Sequence, residues 1–141
     1  EGLQAVAETL GTRIILDESI SRVGQLNRIP SDPDRWLVNC RVSKMGGLLR
    51  SLRLVRAAMA RGLGIIVGAH AGETSVLTRA ALTVVSAAGG AVYAQEGAFG
   101  THLLTHDVVN PPLMFGAGGV IDMTVDGLAG RPGLGLDISS A

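Results

Sequence analysis

The sequence predicts an α/β fold of about four βα units with parallel strands. Three observations carry this expectation. Apolar, β-branched runs begin near residues 13, 36, 63 and 91. Helical patterns separate them, and strands alternating with helices imply right-handed crossovers and a parallel sheet. The run over 36–43 then separates two faces: Val38, Cys40 and Val42 point one way and are apolar, whereas Asn39, Arg41 and Ser43 point the other and are polar. The number of units fits an open flavodoxin-like sheet as well as half of an eightfold barrel. Central strands of an open doubly wound sheet are covered on both faces and are apolar on both. A barrel instead needs polar groups where its strands end on the rim, so the polarity favours a partial (β/α) barrel of the TIM type.

Taken in order, Leu3, Val6, Ala7 and Leu10 recur at helical spacing and Gly11 supplies a stop, which predicts a helix over 2–10. A strand over 13–17 follows and ends in Asp17 and Glu18. Ser19 opens a short helix toward Asn27, and the Pro- and Asp-rich stretch 29–34 is a loop. After the 36–43 strand, Gly46 and Gly47 precede a helix in which Leu48, Leu52, Val55 and Met59 share a face. The strand 63–68 leads into a helix over about 73–88, whose apolar stripe is Val76, Leu77, Ala80, Ala81, Val84 and Val85 and whose stop is Gly89-Gly90. A strand over 91–96 closes the series. A short helix is expected near Leu103, and residues from about 108 to 141 read as an extended Gly- and Pro-rich tail of what is otherwise one domain, 1–141.

A chain of 141 residues suffices for one domain with a real core. Lys plus Arg number 12 and Asp plus Glu number 12, and this zero net charge argues against nucleic acid or an anionic membrane as partner. The single cysteine, Cys40, excludes an internal disulfide and a thiolate-rich zinc site and fits a reducing compartment. The longest uncharged apolar run, 63–69, falls far short of the roughly 20 residues that cross a bilayer. No basic-then-apolar leader opens the chain, so a soluble cytoplasmic protein is expected. With no initiator Met and a helical pattern already running at residue 3, the chain reads as a piece of something longer.

Each strand ends in polar or permissive residues: Asp17-Glu18, Arg41 with Ser43 and Lys44, Gly68-Ala69-His70, and Gln95-Glu96. In a parallel barrel all these ends open onto one rim, where an acid, a base-type cation, an imidazole and a second acid would converge. Taken singly, charged strand ends are more often solvated than catalytic. Cys40 falls on the helix side as a small core residue, and His102 and His106 read as surface. Gly46-Gly47 before a helix can cradle phosphate. No Walker or dinucleotide pattern accompanies the pair, however, and tight turning is the expected role.

These residues also carry a resemblance. Asp17-Glu18-Ser19, then Asn39-Cys40-Arg41-Val42-Ser43-Lys44-Met45-Gly46-Gly47, then Glu96-Gly97 with Leu103-Leu104, then Pro132-Gly133-Leu134-Gly135-Leu136-Asp137 resemble, in order and spacing, the carboxyl-terminal half of the enolase superfamily. The likeness is to its mandelate racemase and muconate-lactonising branch. Arg41 follows Asp17 by 24 positions and the Gly-Gly pair begins 5 positions after Arg41, the register of the muconate-lactonising enzymes.

The resemblance implies a metal-dependent enzyme that removes a proton alpha to a carboxylate and stabilises the resulting enolate on Mg²⁺ or Mn²⁺ held by three carboxylates. Asp17 matches the third of those ligands, with Glu18 beside it as a salt-bridged neighbour. Arg41 stands where the muconate-lactonising branch has lysine and the racemase has aspartate. Arginine does not serve as a general base, which leaves it as an electrostatic catalytic partner or a bidentate carboxylate binder. Gly68 falls where racemase-type members carry histidine, so the His-Asp dyad of that subgroup is absent. Glu96 matches the acid on the last barrel strand and is the second catalytic candidate, while Asn39, Lys44 and His70 are candidates for binding a small carboxylate substrate. The capping domain and first strands of the parent enzymes are absent, so the isolated chain is a doubtful catalyst. Open edges near Ile14 and Val92 favour a homo-oligomer or a complementing amino-terminal half. A carboxylate-binding relative without turnover and a non-enzymatic half-barrel module are the alternatives.

Overall fold

The computed structural model describes residues 2–30, 32–122 and 130–138. Four strands, β1 (Ile14–Leu16), β2 (Trp36–Arg41), β3 (Gly64–Gly68) and β4 (Val92–Gln95), form one sheet in the order β1-β2-β3-β4. All three pairings are parallel. The order settles what the count of units left open: a doubly wound sheet reverses its strand order at a switch point, and this sheet does not. It is an α/β unit with the connectivity of a partial (β/α) barrel.

Helix α1 (Gly2–Leu10) precedes β1, and Gly11 ends it in the left-handed conformation at φ +61°. Two 3-10 turns, Val23–Arg28 and Pro33–Arg35, connect β1 to β2. Helices α2 (Val42–Met45) and α3 (Leu48–Met59) connect β2 to β3, α4 (Ser75–Ala88) connects β3 to β4, and α5 (Gly100–Leu103) follows β4.

The core lies between the sheet and these helices. Val38 and Cys40 of β2 and Ile65 and Val67 of β3 have no exposed surface and meet Leu54, Val55 and Ala58 of α3 and Ala80, Ala81 and Val84 of α4. Burying each large aliphatic side chain of this set stabilises the fold by roughly 1.5–3 kcal/mol. On the opposite face β3 presents Ile66 between two glycines, Gly64 and Gly68. A Cβ at Gly64 would lie 2.5 Å from both Leu37 Cδ2 and Tyr93 Cε2, and one at Gly68 would lie 2.2 Å from Asn39 Oδ1. Side chains from β2 and β4 therefore reach each other across β3.

Several expectations shift. The second strand ends at Arg41 rather than Ser43, because Val42–Met45 turns into a helix closed by Gly47 N–H to Val42 O at 2.9 Å. The helix opened by Ser19 is instead a turn and the Val23–Arg28 3-10 segment, in which the Gln25 carboxamide accepts from the Ser21 and Arg22 N–H groups. The buried face of α3 is Ser51, Leu54, Val55 and Ala58, while Met59 sits at the surface. In α4 the stripe shifts to include Ser75, Thr78 and Leu82. Of the expected stripe on α1 only Ala7 is buried, and Leu3, Val6 and Leu10 are exposed. The tail is anchored in part: Val109 and Leu113 are buried, Leu113 N–H donates to Ser75 Oγ at 2.7 Å, and Val109 bridges Ile138. The stretches 123–129 and 139–141 of the expected tail lie outside the described residues.

Candidate functional site

Register puts the candidates at one end of the sheet. Arg41 is the last residue of β2 and pairs with Gly68, the last of β3. Asp17 follows β1 directly, and Glu96 follows β4 with its N–H donating to Val67 O at 2.9 Å. In β2 the alternation that sends Val38 and Cys40 to the helices sends Asn39 and Arg41 to the other face.

A charged cluster forms there. The Asp17 carboxylate accepts from Arg41 Nη2 through one oxygen and from Lys44 Nζ through the other. All three side chains are largely covered, at 23%, 19% and 12% exposure for Asp17, Arg41 and Lys44. Lys44 reaches this position because α2 coils immediately after β2, bringing Nζ back to Asn39 O at 3.3 Å. Glu18 contacts Arg41 Nη1 at 3.4 Å but is 76% exposed, so its attraction is weakened by water.

Glu96 forms the second half of the cluster. Its Oε2 accepts from the Ala69 N–H at 3.1 Å and its Oε1 lies 3.4 Å from Asn39 Nδ2. Gly68 makes that reach possible, since a Cβ there would lie 2.8 Å from Glu96 Oε2 and 2.9 Å from Arg41 Cγ. Asn39 is 2% exposed, and neither its Oδ1 nor Arg41 Nε has a hydrogen-bond partner among the described residues. Buried polar atoms left unpaired are uncommon and costly. Asn39, Arg41 and Glu96 thus form a polar layer spanning three strands.

His70 belongs to a neighbouring group. Its Nδ1 lies 2.7 Å from Ser43 Oγ, and that hydroxyl donates to Glu73 Oε1 at 2.7 Å. The same Nδ1 lies 3.3 Å from Glu73 Oε1, which closes the group of three. No hydrogen bond joins this trio to Asp17, Arg41 or Lys44 among the described residues. His102 and His106 are exposed. Cys40 is fully buried on the helix side, and burial pushes its thiol pKa up. In the tail, Asp137 is paired with Arg131, whose hydrogen bonds hold the carboxyl below its ordinary range.

Asp17 is the one candidate metal ligand, and both its oxygens are taken by cations. No group of three or more His, Cys, Asp or Glu side chains able to hold a metal forms among the described residues. These residues do not make a divalent-cation site by themselves.

Sequence reading missed Glu73 and the part played by Gly64 and Gly68. Glu73 carried a signal in its three-residue spacing from His70. The two glycines stand four apart on one strand, which puts both on the same face.

A single parallel sheet with polar ends gathered on one rim defines the chain as part of a (β/α)-barrel domain. The family model described as enolase C-terminal domain-like matches residues 1–141, and the chain belongs to that family. No curated protein and no solved structure gave a significant match. Members of the superfamily generally bind Mg²⁺. Among the described residues no helix is long and apolar enough to cross a membrane.

Proposed function

We propose that this chain is the carboxyl-terminal barrel part of a metal-dependent enzyme, muconate cycloisomerase- or racemase-like, that removes a proton alpha to a carboxylate. The observation that carries the reading is the Asn39–Arg41–Glu96 layer, built from β2 and the end of β4, beside Asp17 at the end of β1 in a chain of this family. Arg41 presents a planar guanidinium fork suited to a carboxylate or to the oxygen of an enolate. Its role is electrostatic. Glu96, fixed across β3 by the Ala69 N–H, is the side chain of this layer able to carry a proton, and general acid–base transfer of this kind contributes roughly 100- to 10,000-fold. Asn39 and Lys44 bind substrate next to them, with His70 contributing from the rim. Mg²⁺ or Mn²⁺ belongs to the reading with Asp17 as one oxygen donor, and the remaining donors must come from outside the residues described.

The test is exchange of substrate α-protons in D₂O, followed by NMR with the intact protein, Mg²⁺ and a panel of small carboxylic acids. Exchange is expected, with a loss of roughly 100-fold or more in Glu96→Gln. Absence of exchange across the panel sinks the enzyme reading. One observation favours a second reading, a carboxylate binder without turnover: a guanidinium occupies the strand end where a base would sit, and Asp17 is capped by cations. Saturable binding of a carboxylic acid without exchange would establish it.

A further inference from the structure

The neutrality of the chain conceals a local imbalance. Residues 35–72 contain seven of the 12 Lys and Arg and no Asp or Glu. Arg35, Arg41 and Lys44 pair with acids from earlier in the chain, and Arg61 donates to Leu26 O and Asn27 Oδ1. Arg50, Arg53 and Arg56 of α3 have no ion-pair or side-chain hydrogen-bond partner among the described residues, and the Arg22 guanidinium has no ion-pair partner there.

Three of these four arginines line one groove. A groove of about 640 Å³ between the loop after β1 and the α2–α3 corner is lined by Arg22, Arg50 and Arg53 and by Lys44, whose ammonium is already engaged by Asp17, and no carboxylate forms part of its wall. Gly46 shapes it. At φ +80° it turns the chain between α2 and α3, and a Cβ there would lie 3.2 Å from Arg50 Nη1, so the Arg50 side chain folds back over a bare backbone.

A concavity walled by one sign of charge focuses potential and concentrates counter-ions. Its size falls within the range of about 300–1,000 Å³ common to small-molecule sites, which favours a small ligand over a protein surface or a duplex. Guanidinium forks match phosphate oxygens two at a time.

We propose that this groove binds a small, multiply charged oxyanion, a phosphate or phosphate ester, separately from the Asn39–Arg41–Glu96 layer. The probes are inorganic phosphate, pyrophosphate and phenyl phosphate, titrated calorimetrically into the intact protein at an ionic strength held constant with NaCl. Saturable one-to-one binding is expected, weakened about tenfold or more in Arg50→Gln/Arg53→Gln, where two charge-assisted contacts are lost. Arg22→Gln, on a loop outside the helix, should weaken it in the same direction. Arg56→Gln removes the same charge from the same helix off the groove and should leave binding within about twofold of wild type. Because the double variant relieves repulsion, its melting temperature without anion should equal or exceed that of wild type.

Stronger binding of phenyl phosphate than of phosphate would assign the site to an ester group, and the reverse order would assign it to the free anion. Either order upholds the site. Lack of saturable binding, competition by acetate as strong as that by phosphate, or an equal loss in Arg56→Gln would overturn it.

Discussion

The two faces of the sheet use the same strands in opposite ways. On the helix side Val38, Cys40, Ile65 and Val67 are fully buried in a continuous apolar layer. On the other side two of the three β3 residues are glycines, and side chains from β2 and β4 fill the vacated space. Close-packed apolar contacts set stability on one face, and omitted side chains set geometry on the other. Substitutions on the two faces should therefore fail differently.

The largest effect should come from the helix side. Ile65→Ala removes a fully buried side chain of the central layer and should lower unfolding free energy by about 2–4 kcal/mol, read from the denaturant midpoint at unchanged slope. A loss under about 1 kcal/mol would mean that this face is not the main source of stability.

Next comes the charged cluster. Asp17→Asn leaves Arg41 and Lys44 facing each other with little exposure. A cost of about 2 kcal/mol is expected in chemical denaturation without divalent metal, smaller than for a fully buried pair because water still reaches all three groups.

Gly64→Ala places a Cβ 2.5 Å from Leu37 Cδ2 and should cost about 1–3 kcal/mol through overpacking. Gly24→Ala, where an added Cβ meets nothing within 4 Å, is its control and should change the melting temperature little. Equal effects at the two glycines would erase the contrast between the faces.

The smallest effect is a pH dependence. Burial raises the Cys40 pKa in the folded chain above the ordinary thiol value of 9.0. Between the unfolded and folded values the unfolded chain loses the proton first. The stabilisation is therefore complete below about pH 9 and is lost as pH rises toward the folded value. Cys40→Ala should flatten that alkaline limb of stability measured by denaturant titration.

The helix-side face was legible in the sequence because alternation in β2 and helical periodicity in α3 and α4 both arise from burial, which acts on residue type directly. The buried stripe of α3 was displaced by one position because Ser51 is buried through its hydroxyl bond to Gly47 O at 2.9 Å, which hydropathy does not register. The end of β2 was misplaced for a related reason: Val42 reads as strand, but the turn into α2 is set by the left-handed Gly46 and the Gly47 N–H bond. The candidate cluster was legible as a set of strand-end positions, since Asp17, Arg41 and Glu96 all stand where a strand ends. How they meet was not. The contact of Asn39 with Glu96 spans 57 positions and depends on the absence of a side chain at Gly68, which hydrophobic periodicity does not score.

Trp36, the one tryptophan of the chain, lies at the amino-terminal end of β2 and is buried in the core. Arg41 is at the other end of that strand, roughly 17 Å away at about 3.3 Å per residue. The chain thus carries a built-in fluorophore that reports the integrity of the core and is remote from the rim. Its emission should shift to the red on unfolding and stay constant when a small acid binds near Arg41, so one optical signal can certify that a variant is folded while activity is read independently.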